Sequence, residues 1–158
     1  MPKPSVIVNM TKWEKVKKTL GLIQEAQVKI GFFDGSQVTE EGFTMIELAA
    51  VHEFGSEDGV IPERSFIRAS LRKAHEDGEL AKVCEPLYKA CIEGKMTVDH
   101  ALKILGEWAV HKVREYVTQG PHIPPPLKPA TIAAKGSDRP LVDTGAMVNA
   151  VQYEVIHK

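Results

Sequence analysis

Apolar residues recur every three or four positions along much of this chain and every second position in short stretches, a pattern that predicts helices with a few strands. The longest stripe covers residues 98–117. There Val98, Ala101, Leu102, Leu105, Trp108, Ala109, Val113 and Tyr116 share one helical face. Thr97 is placed to cap this helix, and Asp99 lies in its first turn, where negative charge is favoured. Trp13, Val16, Leu20 and Ile23 predict an earlier amphipathic helix capped by Asn9 or Thr11, with Lys15 and Lys18 opposite the stripe and Lys12 and Lys17 beside it. Residues 45–54 are apolar nearly all round, through Ile46, Leu48, Ala49, Ala50, Val51 and Phe54. A helix of that kind is covered either by its own fold or by an assembly partner. Thr44 and Glu47 have capping-box spacing at its start, and Gly55 can end it.

Pro62 suits the first turn of a further helix, whose inner face is Phe66, Ile67, Ser70, Leu71 and Ala74. Asp77-Gly78 breaks it, and residues 80–92 continue as helix around Pro86. Val28, Ile30 and Phe32 alternate with Lys29 and Gly31, predicting a strand over residues 27–33 and a turn at Asp34-Gly35. Val151, Tyr153 and Val155 alternate with Gln152 and Glu154 in a terminal strand, and residues 5–8 read as a short strand or arm. Residues 121–126 are extended, polyproline-like chain, residues 130–134 a short helix, and Asp143 or Thr144 caps a small helix reaching Ala150. The expected fold is α+β: one domain over residues 1–158, with a small, mainly antiparallel sheet on the long helix. Residues 1–27 supply its N-terminal strand and helix, and residues 120–140 an extended proline-rich arm and loop.

Composition narrows the class without naming it. Apolar content of 43% and charged content of 26% are ordinary for a folded domain. No apolar run is long enough for a membrane span, and Met1-Pro2-Lys3-Pro4-Ser5 lacks a signal-peptide layout. Cys84 and Cys91, two helical turns apart at about 10 Å, are too distant for a disulfide and read as buried thiols of a reducing cytoplasm. The net charge of −1 conceals an asymmetry. Residues 1–29 carry six lysines against Glu14 and Glu25, whereas residues 30–63 contain no Lys or Arg and eight acidic residues. Two solvated faces explain this, and so does a head-to-tail contact between copies.

Catalytic motifs are weak. His52-Glu53 begins like a zinc-protease helix, but Ser56 replaces the second histidine. His100 and His111 share a helix about 16 Å apart, too far to share an ion. Neither a phosphate-binding glycine loop nor an esterase elbow is present, so no cofactor, metal or catalytic residue is expected. Arg64 and Arg68 fall four apart on the expected helix, within reach of Glu53 or a phosphate, and an internal ion pair is the simpler reading. The lysine-rich first helix carries only Trp13, on its apolar side, which disfavours base reading. The rival classes are a metal-dependent cytoplasmic enzyme using His52 and Glu53, and a nucleic-acid-binding regulator.

Four stretches occur in an informative order. Val28-Lys29-Ile30-Gly31 is followed by Leu48-Ala49-Ala50-Val51-His52-Glu53-Phe54-Gly55 and Ile61-Pro62-Glu63-Arg64-Ser65-Phe66-Ile67-Arg68. Pro126-Leu127-Lys128-Pro129-Ala130-Thr131 and Lys135-Gly136 then precede Leu141-Val142-Asp143-Thr144-Gly145-Ala146-Met147. This arrangement resembles the neck or tail-completion proteins of tailed bacteriophages, a group including minor tail and virion-morphogenesis proteins. Ser65 stands where many members have a second proline, which would loosen the loop. The resemblance implies a virion structural protein and no enzyme: a ring, with six copies expected, around a channel through which DNA passes without sequence-specific binding. Its implied partners are other copies of itself, portal, adaptor or collar proteins on the head side, and tail tube or sheath proteins on the tail side. On that reading Phe54, Gly55, Ile61, Pro62, Arg64, Phe66 and Arg68 form a packing junction. Pro124, Pro125 and Pro126 belong to an arm reaching a neighbour, and Asp143, Thr144 and Gly145 form a capped turn. Deleting residues 123–126 is then expected to harm assembly more than folding.

Overall fold

The long apolar stripe becomes the axis of the molecule. In the computed structural model, which describes residues 10–33, 42–142 and 145–157, helix α5 (Val98–Thr118) packs on most other elements. The Thr97 hydroxyl accepts from His100 N–H at 3.2 Å and starts it as expected. In chain order the remaining elements are α1 (Met10–Glu25), β1 (Ala26–Gly31), α2 (Met45–Phe54), α3 (Ile67–Glu76), α4 (Glu79–Ile92), α6 (Pro129–Lys135), α7 (Ala146–Asn149) and β2 (Gln152–His157). The strand expected at residues 5–8, the Asn9 cap, the Asp34-Gly35 turn and any cap from Asp143 or Thr144 lie outside the described residues.

The architecture is α+β. β1 and β2 pair antiparallel, from Ala26 opposite His157 to Gly31 opposite Gln152, and both pack on α5. Alternation places Val28 and Ile30 toward the helices and Lys29 in solvent. Close approach of β2 to α5 depends on Gly106, where a Cβ would fall inside the Tyr153 ring. The main core joins Met45, Ala49, Phe66, Val110, Val113, Val117, Ile123, Met147, Val148 and Val151. Phe32, just past β1, meets Phe66 edge-on with ring centroids 6.3 Å apart. A smaller cluster of Cys91, Val98 and Ala101 lies at the other end of α5, with Ile23 and Ala26 packed against it. Both cysteines are free, Cys91 buried and Cys84 half-buried, and burial pushes each thiol pKa up.

Three expectations change. Thr11 lies inside α1 and does not cap it. No residue of α1 is buried, so its stripe is only partly used: Val16 and Ile23 are half-covered, while Trp13 and Leu20 remain exposed. The helix expected from Pro62 starts at Ile67: residues 62–65 stay out of it, and Phe66, its N-cap, begins the run of amides that reach a carboxylate described below. Among the described residues, no helix is long and apolar enough to cross a membrane.

Candidate functional site

Helix α3 begins without a cap of its own. Its N-cap residue is Phe66, whose side chain offers no acceptor, so the first amides need a partner from elsewhere. Glu53, in the last turn of α2, supplies it. Phe66 N–H donates to Oε2 at 2.7 Å, Ile67 N–H to Oε2 at 3.0 Å, and Arg68 N–H to Oε1 at 3.1 Å. The Ser65 hydroxyl donates to Oε1 at 2.9 Å and Arg68 Nε to the same oxygen at 2.8 Å. Arg68 also donates through Nη2 to the Glu53 carbonyl at 2.9 Å and to Glu63 Oε1 at 2.8 Å.

Glu53 is only 4% exposed, and burial alone would raise its pKa. The Arg68 guanidinium and the amides of Ile67, Phe66 and Arg68 together outweigh that, and the net shift is downward. The carboxylate is therefore held ionised at the positive end of α3, where a negative charge is stabilised. This arrangement fastens two helices together; it does not poise a proton for transfer.

Backbone chemistry around it is equally specific. Thr44 and Glu47 form the expected capping box at the start of α2, and the amide and hydroxyl of Thr44 hold the Glu47 pKa down. Gly55 ends α2 with φ +82, and a Cβ there would lie 3.0 Å from Glu63 N and 3.2 Å from Ile61 O. Glycine is thus required both by the dihedral and by the close approach. Residues 56–61 are braced by short-range hydrogen bonds. Ser56 N–H donates to Ile61 O at 2.9 Å, Ile61 N–H to the Ser56 hydroxyl at 2.8 Å, and Val60 N–H to Asp58 Oδ1 at 3.0 Å.

Several expected site residues take different places. Phe54 is not packed into the junction. Glu53 takes the inward position, so the next residue turns outward, and Phe54 is 64% exposed with the Arg68 guanidinium 4.7 Å from its ring centroid. Ile61 is exposed and Pro62 half-buried, whereas Phe66 is fully buried. Arg64 and Arg68 do not share a helix: Arg64 lies on the extended segment, buried, with Nε donating to Pro125 O at 3.0 Å. Burial lowers the Arg64 pKa. Ser65 binds Glu53 and so fastens this stretch, where the resemblance implied a looser one.

The proline segment is anchored within its own chain. Ile123 lies in the main core and Arg64 holds the Pro125 carbonyl, while the side chains of Pro124, Pro125 and Pro126 face outward. Deleting residues 123–126 would therefore remove a core side chain and the Arg64 acceptor, so folding is affected along with any assembly. Gly145, with φ +79, occupies the N-cap position of α7 that was expected for Asp143 or Thr144.

His52 and Glu53 do not form a metal site together. Both Glu53 oxygens are already engaged, and among the described residues no three His, Cys, Asp or Glu side chains converge. His52 Nδ1 is buried without a hydrogen-bond partner, and burial, then Arg64 and Lys135, lowers its pKa. The neutral ring suits that setting. Sequence reasoning missed two arginines that hold chain ends in place. Arg114 donates to the carbonyls of Val148, Asn149 and Val151, and Arg139 to those of Val117 and Gly120 at the end of α5. Isolated arginines carry no local signal of such reach. Comparison with protein-family models, curated proteins and solved structures finds no match to this chain.

Proposed function

We propose that this chain is a structural subunit of a bacteriophage virion, forming a hexameric ring at the neck that joins the portal or adaptor side of the head to the tail. The ring surrounds the DNA channel and completes or terminates the tail. The ordered motifs of the sequence support this reading. The observation that carries it is the outer face of α2, where Ile46, Ala50 and Phe54 lie in one exposed line above a junction that uses the same motif residues. Helices whose apolar side is left in solvent need a partner. Here the junction fixes that side rigidly, as repeated contacts between identical subunits demand.

DNA passage needs a surround that does not grip, because each phosphate contact adds affinity and would retard movement. A chain with net charge −1 suits that task. Electron microscopy of the purified protein and of virions tests the reading. Rings at the neck are expected, and isolated monomers in both settings would reject it. Position of the gene between capsid and tail genes is a second expectation.

A further inference from the structure

Two exposed apolar surfaces of this chain carry opposite charge. The first is on α1, where Trp13 is 49% exposed, with Met10 and Leu20 also in solvent. Lys12 and Lys17 border this strip, and Lys15 and Lys18 extend the positive field around the helix, which outweighs the single negative charge of Glu14 among them. The second comprises the outer side of α2, with Ile46, Ala50 and Phe54, and the exposed apolar residues of the braced loop that follows, Ile61 and Val60, the latter 72% exposed. Glu47, Glu57 and Asp58 give this stretch its negative charge, while Glu63 is paired with Arg68, whose guanidinium lies over the Phe54 ring. Phe43 stands exposed at the other end of the stretch.

We infer that these surfaces are the two halves of one contact between copies: the lysine-flanked strip of α1 docks on the acid-rimmed face of α2 in the next subunit. The inference rests on reading the chain as a subunit of a closed assembly, and it names the faces that meet. Charge complementarity selects the occupant. Each face displays the apolar centre and charged border that the other lacks in sign, and both belong to every copy. Because the faces differ, the contact is heterologous and propagates head to tail, closing into a ring when the rotation per subunit allows. Within a subunit the remainder of each element is already committed: α1 packs on α4, α5 and β1, and α2 on α7. The braced loop keeps Val60 and Ile61 in place before a partner arrives, which lowers the ordering cost of docking.

A pairing experiment with the full chain tests this. One variant, Trp13→Asp with Lys17→Glu, spoils the basic face; another, Ile46→Lys with Val60→Lys, spoils the acidic one. Light scattering after size exclusion should show the wild type assembled and each variant alone monomeric, with association at least tenfold weaker. An equimolar mixture should form a 1:1 dimer and stop there, because only one intact pair of faces remains. The milder variants Lys17→Glu and Glu57→Lys leave every apolar side chain in place. They should weaken assembly singly and regain it when both changes are made in one chain.

A wild type monomeric at every concentration, a single-face variant that assembles normally, or folded variants that fail to pair would each overturn the contact. Assembly through other faces would sink this inference and leave the neck reading standing. Head-to-tail assembly of a protein absent from virions would do the reverse.

Discussion

Glu53 concentrates more of the fold's specificity than any other side chain described. Its carboxylate serves as the missing cap of a helix that begins on a phenylalanine, and it does so from another helix. Replacing it by alanine would strand buried amides, and we expect a loss of about 2–4 kcal/mol in urea unfolding, most of it from the amides because the Arg68 pair is partly exposed and screened. Glu53→Gln should recover part of this, since one oxygen still accepts. The pH dependence has a definite sign. The folded pKa lies below the ordinary 4.5, so the Glu53 contribution is complete above that value and is lost as pH falls through the lower folded one. Wild-type stability should therefore drop more steeply than that of Glu53→Gln as pH falls from 5 toward 3; parallel curves would contradict the assignment. In the sequence Glu53 was visible as half of a broken metal motif and as an ion-pair partner within reach of Arg64 or Arg68, and the pair with Arg68 forms. Its role as a cap depends on amides thirteen to fifteen positions away, which no local pattern encodes.

Legibility improves where an element is determined by its own residues. Helix α5, its Thr97 cap, the Thr44–Glu47 box and the Gly55 stop follow from periodicity and short-range hydrogen bonding. The start of α3 does not, because Pro62 permits a helix there while residues 62–65 stay out of it and tertiary hydrogen bonding to Glu53 makes Phe66 the N-cap. The α1 stripe was also readable, but periodicity reports an apolar face and not what covers it. Gly106 lies where the Tyr153 ring of β2 comes against α5, a contact that no pattern within the helix announces. The short α7 is held from outside by Arg114, whose fork reaches three carbonyls. Arg114→Ala should cost roughly 1.5–3 kcal/mol and speed hydrogen exchange through α7 and β2. Arg114→Lys should restore only part, since one ammonium cannot span three acceptors.

Across the whole molecule, the proline segment divides its work between the inside and the outside. Ile123 is a core residue, so Ile123→Ala should destabilise the fold by about 2–5 kcal/mol in chemical denaturation. Pro124→Ala and Pro126→Ala, with exposed side chains, should change the stability of the fold by no more than about 0.5 kcal/mol, leaving any effect on the proposed assembly to be read separately. A large loss from the proline variants, or none from the isoleucine, would reverse this division. The sheet carries a consequence for how the chain is made. Every rung of its ladder joins positions more than 120 residues apart. A growing polypeptide on the ribosome thus displays β1 with no mate until the last strand emerges, and the helices between must organise first.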